Sequence, residues 1–186
     1  MDEWLIQAMG SVGDPASRQA FVDEFSVDCG LLMARPTDFE QRLVRGDVVE
    51  GFCRIGIIQG LLEAFAPKAI RREADAVIVV TQTREQALHL GFTLMQFKES
   101  NPVSVAVGAG VVLEGPDAEV HGWPMQQVRK LVVWARPHEI LIPRKALQGL
   151  TLPQGIGVFS APEELEKRLG FSCAILRDFR SAMPIE

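Results

Sequence analysis

The chain lacks an N-terminal targeting signature: Met1-Asp2-Glu3-Trp4 is acidic, with no basic segment leading into an apolar one. It also lacks a long hydrophobic run, because charge or glycine breaks each apolar stretch before membrane-spanning length, so no membrane insertion is expected. No low-complexity tract and no block of like charge appears. Positive charge is not in excess either. A net charge of −5 argues against a nucleic-acid partner, which needs clustered Lys and Arg on phosphates. Cysteine is scarce and odd in number: Cys29, Cys53 and Cys173 are far apart and set among apolar residues. They read as buried free thiols in a reducing, cytoplasmic setting. There is no G-x-S-x-G and no G-x-x-x-x-G-K, and His89, His121 and His138 are scattered away from metal-ligand spacing.

What is present is an ordinary globular composition, 47% hydrophobic and 23% charged over 186 residues, enough for one domain with a substantial core. Asp14-Pro15 predicts an N-cap and a helix through about Phe25, so residues 1–27 read as a helical preface and 28–186 as the main domain. Cys29–Ala34 predicts a buried strand. Asp47–Phe65 carries helical periodicity, with Val49, Phe52, Gly56, Ile57 and Leu61 expected on its packed face. Lys68–Arg72 and Asp75–Thr81 predict two strands around a turn, and Thr83-Arg84-Glu85-Gln86 is a capping box opening a helix to about Phe97. A break at Asn101-Pro102, a β run over Ser104–Leu113, a turn through Asp117 and a helix over Pro124–Ala135 follow. Strands are expected at Glu139–Ile142, Gln154–Phe159 and Phe171–Leu176, with a helix ending at Gly170 before the last. The Gly-Ala-Gly at 108–110 reads as a strand bend, since no helix starts there. This order is α+β, with helices on one face of a largely antiparallel sheet and a βαββαβ core.

From Cys29 to Leu150, and less closely to Arg180, this order resembles the class III adenylate and guanylate cyclase catalytic domains. Arg136-Pro137-His138-Glu139-Ile140-Leu141-Ile142 looks like that family's A-x-P-G-E-I-L-V, and the segment from Ala76 through Glu85-Gln86-Ala87-Leu88 is also similar. The helix Gly122-Trp123-Pro124-Met125-Gln126-Gln127-Val128-Arg129-Lys130 falls where the family orients ribose and phosphates. The resemblance implies two metal-binding carboxylates, one at the end of the first strand and one in the following hairpin. Those positions are Arg35 and Asp75. A guanidinium cannot ligate a metal, so Arg35 is expected to pair with Asp75; Asp38 and Glu73 are the nearby carboxylates.

The family's base-contacting positions fall on Arg71 and Trp123, its asparagine on Gln126 and its phosphate-binding arginine on Lys130; its glycine before the aspartate is Ala74. Arg71, Trp123, Gln126 and Lys130 are thus the candidate nucleotide-binding residues, and Asp75 alone is an unchanged catalytic residue. The resemblance implies a homodimer, or a heterodimer with a related domain, because the family's sites form between protomers. Three functions stand open. The chain is a catalytically degenerate regulatory or scaffolding module with no cofactor, a nucleotide sensor without catalysis, or a divergent active cyclase using Mg or Mn.

Overall fold

The computed structural model describes residues 3–10, 12–96, 102–116 and 119–178. The helix end expected at Phe97, the break at Asn101, the turn residue Asp117 and Arg180 lie outside these residues, as do the side chains of Trp4, Leu5 and Met9.

Two helices open the chain, α1 (Glu3–Gly10) and α2 (Pro15–Phe25). The Asp14 carboxylate accepts from the backbone N–H of Ala16 and Ser17, as the Asp-Pro pair predicts. Strand β1 (Ser26–Pro36) follows α2 without an intervening residue, so the sheet begins inside the expected preface. Its interior residues Cys29–Ala34 are all buried. After α3 (Phe39–Arg45) come α4 (Val48–Glu63), β2 (Ala69–Arg72), β3 (Val77–Thr81) and α5 (Arg84–Met95). Thr83 and Gln86 close the capping box reciprocally. Then β4 (Val103–Glu114), β5 (Val120–His121) and α6 (Trp123–Val132) lead to β6 (Glu139–Pro143) and α7 (Arg144–Leu147). The last elements are β7 (Ile156–Ser160), α8 (Glu163–Leu169) and β8 (Cys173–Asp178).

One sheet runs in the order β2-β3-β1-β4-β6-β8-β7, with β5 on β4. Every described pairing is antiparallel except β4 with β6. The β2-β3-β1-β4 half, with α4 and α5 as its connections, is the expected βαββαβ core. Alternation along β1 sends Leu32 and Ala34 to one face with Ile55, Ile58, Leu62, Leu88 and Leu94. It sends Leu31 and Met33 to the other with Met125, Val128, Leu131 and Leu169. The core helices α4 and α5 therefore share one face, as expected. Helices α6 and α8 cover the opposite face, so the sheet is sandwiched. Each fully buried Leu or Ile contributes roughly 1.5–3 kcal/mol.

Two expectations fail. On α4 the buried residues are Gly51, Ile55, Ile58 and Leu62, while Val49 is 78% exposed and Ile57 48%. The helix carries two apolar stripes, and periodicity alone cannot say which one meets the sheet. The glycine packed closely is Gly51, whose added Cβ would lie 3.2 Å from the Phe39 ring; at Gly56 and Gly60 a Cβ meets nothing. The second failure is Cys53, which is exposed on the same outer stripe, whereas Cys29 and Cys173 are buried. Among the described residues no helix is long and apolar enough to cross a membrane.

Candidate functional site

Arg35 is the next-to-last residue of β1, opposite Ser104 of β4. Strand geometry carries its side chain to the sheet's end, where it is only 10% exposed. The guanidinium Nη2 donates to Glu40 Oε1 at 3.0 Å, and Nη1 lies 3.4 Å from Asp75 Oδ2. Glu40 stands in the first turn of α3. Asp75 sits in the turn joining β2 to β3, closed by the Glu73 N–H donating to the Ala76 carbonyl at 2.8 Å. That turn uses no left-handed residue: among described non-glycines only Ala66 and His138 have positive φ. Alanine at position 74 therefore costs the hairpin nothing.

The structure thus brings Arg35 and Asp75 together, as the sequence predicts, and adds Glu40. It takes the other nearby carboxylates elsewhere. Asp38 pairs with Arg42 at 2.7 Å and Arg54 at 3.3 Å, and Glu73 pairs with Arg129 of α6.

Arg71 lies on β2 opposite Ile78 of β3, on the sheet face that α6 covers. Its Nη1 pairs with Glu119 Oε1 at 2.9 Å, and His121 Nε2 approaches Glu119 Oε2 at 3.4 Å. The Arg71 hydrogen bond holds the Glu119 carboxyl below its usual range. Trp123 begins α6 and is 54% exposed. Its ring meets Phe171 edge-on at 5.8 Å, and Lys130 Nζ stands 5.4 Å from the ring centroid. The same ammonium donates to the Leu169 carbonyl at 3.4 Å, so it serves the C-terminus of α8. Gln126 is exposed on the same helix. Among the described residues no hydrogen bond or ion pair joins Arg35 or Asp75 to Gln126 or Lys130.

The donor set at β1 does not fit a divalent metal. Both carboxylates near the strand end face one permanently charged guanidinium, and among the described residues no three His, Cys, Asp or Glu form a metal-holding group. A dication about 4 Å from that guanidinium would be repelled by roughly 8 kcal/mol at an effective dielectric near 20. The buried thiols are also poor ligands and nucleophiles, since burial pushes Cys29 and Cys173 up to about 11.

Sequence reasoning missed Glu40, Glu119 and Arg129. Glu40 follows Arg35 by five residues on a helix too short to show a period. Glu119 lies in a turn, where nothing local marks a partner. Arg129 precedes Lys130 in the basic last turn of α6, which was a usable signal.

No family model matches the sequence, and no curated protein matches it. Solved structures do. Adenylate cyclases of Trypanosoma brucei in their monomeric state superpose with a TM-score of 0.61 at 10% identity, over 84% of this chain and 91% of theirs. The adenylyl cyclase CyaB of P. aeruginosa gives 0.58 at 12% identity, over 81% and 93%. The guanylyl cyclase Cya2 gives 0.59 at 10%, over 82% and 91%. At such identity the likeness is one of architecture: the chain has the fold of the adenylyl and guanylyl cyclase catalytic domains.

Proposed function

We propose that this chain is a cyclase-fold module without cyclase chemistry, acting as a regulatory or scaffolding subunit in a dimer with itself or a related domain. The observation that carries this reading is the Arg35 guanidinium, 3.0 Å from Glu40 and 3.4 Å from Asp75, standing where the resemblance calls for a metal-binding carboxylate. Two-metal nucleotidyl transfer needs carboxylates free to hold cations that stabilise the attacking and leaving oxygens. Here the cation is covalently part of the protein and cannot activate a hydroxyl. Support also comes from the cations expected on a nucleotide: Arg71 is engaged by Glu119, and Lys130 by the Leu169 carbonyl and the Trp123 ring.

Incubation with ATP or GTP and Mg or Mn, read by chromatography of cyclic products, is expected to give no turnover above background. Clear turnover overturns the proposal and restores the divergent-cyclase reading. Arg35→Asp is the complementary variant, because it would set carboxylates at 35 and 75 with Glu40 beside them. It is expected to gain manganese affinity measurable by calorimetry. A folded R35D protein with no such gain would remove Arg35 from the metal position and with it the basis of this reading.

A further inference from the structure

The two terminal strands of the sheet are built differently. At one margin β2 ends in Arg71 and Arg72, and the Arg72 guanidinium donates to the Phe52 carbonyl of α4 at 3.5 Å. Charge on a terminal strand discourages a further strand from pairing with it. At the other margin β7 reads Ile156-Gly157-Val158-Phe159-Ser160, with no charge and no proline. Among the described residues it is paired on one side, with β8, one residue against one at all five positions, so no bulge bends it away. Val158 is 48% exposed and Phe159 36%. An uncharged, regular, partly apolar edge is a template for one more strand.

We propose that β7 pairs antiparallel with β7 of a second copy, in a two-fold register centred on Val158. Val158 then faces its own copy, Phe159 faces Gly157, and Ile156 faces Ser160. This register works whichever backbone groups point outward, since residues 156, 158 and 160 pair among themselves and so do 157 and 159. A slip of one residue would bring opposite sheet faces together. Side chains agree with it on both faces. Val158 lies opposite Leu176, on the face of α4 and α5, so two exposed valines meet there. Phe159 lies opposite Ile175 on the other face, and across the two-fold its ring meets a residue with no side chain. Charge agrees as well. Arg144 donates to Ser160 Oγ at 2.7 Å, and Asp178 stands opposite Ile156. Setting Ser160 beside Ile156 of the copy brings Arg144 within about two strand spacings, roughly 10 Å, of the copy's Asp178, and the symmetry repeats this at the other end. The occupant is a second copy because the strand complements itself in shape and in charge. β7 stands four strands along the sheet from β1, so this contact is independent of the function proposed above.

Sedimentation equilibrium of the full chain between about 2 and 200 µM tests the pairing, since a five-residue ladder gives a weak contact. Wild type is expected to gain mass with concentration. V158K and V158E each set like charges against each other at the two-fold and are expected to lose that gain. Their equimolar mixture is expected to regain it, associating at least about tenfold more tightly than either variant alone. Circular dichroism verifies folding of both variants. Amide exchange of the wild type needs no variant: residues 156–160 are expected to exchange fast in dilute solution and several-fold more slowly at the high concentration. A wild-type mass constant over that range, a gain undiminished by V158K, a mixture that stays dissociated, or β7 exchange indifferent to concentration would each overturn the proposal. Turnover of ATP or GTP would instead sink the function proposed above and leave this result standing.

Discussion

At Arg35 the stability at stake depends on how much water its partners keep. The guanidinium is 10% exposed, but Asp75 is 36% and Glu40 77% exposed. A fully buried pair broken on one side costs about 3–5 kcal/mol, whereas solvated partners bring the pair toward about 0–1 kcal/mol. The second range applies, because neither carboxylate is left dry when the arginine goes. Arg35→Met keeps the apolar stem and is expected to destabilise by about 1 kcal/mol in urea unfolding; a loss above about 3 kcal/mol would mean the carboxylates are shielded. The thiols give a second measurement. Cys53 is exposed, and burial raises Cys29 and Cys173 to about 11, so both stay protonated at pH 8. One thiol of three is expected to react with a disulfide reagent in the native state and all three in denaturant. Histidine 138 explains a residue of the resemblance. It stands at the family's glycine, its φ is +62°, and its Nδ1 lies 3.3 Å from the Met95 carbonyl, a contact that helps hold a left-handed side-chain-bearing residue.

Among the elements, α4 separates what a pattern says from what packing does. Its glycines at 56 and 60 face open space, so Gly56→Ala and Gly60→Ala should each stabilise by up to about 1 kcal/mol through helix propensity. Three other glycines behave oppositely. A Cβ on Gly30 would collide with the Thr83 carbonyl, one on Gly108 with Val128, and one on Gly91 would lie 2.9 Å from Ile140 Cδ1. Gly91→Ala is expected to destabilise by about 1–3 kcal/mol. Thermal unfolding of the three single variants reads the contrast; destabilisation by G56A would mean that the outer stripe of α4 is covered. Cap-driven elements were legible from sequence: Asp14-Pro15 and Thr83–Gln86 act over three residues, and both caps are formed. The seven-residue α3 and four-residue α7 were not, because neither is long enough to display a period.

For the molecule as a whole, the sheet sets a gradient of local stability. β1 and β4 lie at its centre, paired on both sides and covered on both faces, while β2 and β7 are the terminal strands. Amide exchange should be slowest at Leu31, Leu32, Val79 and Val107 and fastest in Ala69–Arg72 and Ile156–Ser160. Uniform protection across the sheet would contradict this layering. Arg35 and Asp75 stand at a strand end, while Trp123, Gln126 and Lys130 ride on α6, which the Arg129–Glu73 ion pair ties to the β2–β3 turn.

The sequence by itself determined the order of the longer elements and the βαββαβ core, because these depend on local periodicity and short-range caps; the Arg35–Asp75 pairing came from the family resemblance together with the charge of a side chain at a strand end. Tertiary structure alone decided which stripe of α4 is buried, that α6 and α8 cover the second face, and that Cys53 is exposed. It also decided that Glu40, Glu119 and Arg129 satisfy the candidate site from within. Apart from the Arg35–Glu40 contact, five residues apart, those outcomes depend on contacts between residues distant in the chain: the β2–β3 hairpin meets the turn before β5 and the last turn of α6 only once the sheet has formed. No spacing along the chain encodes that meeting.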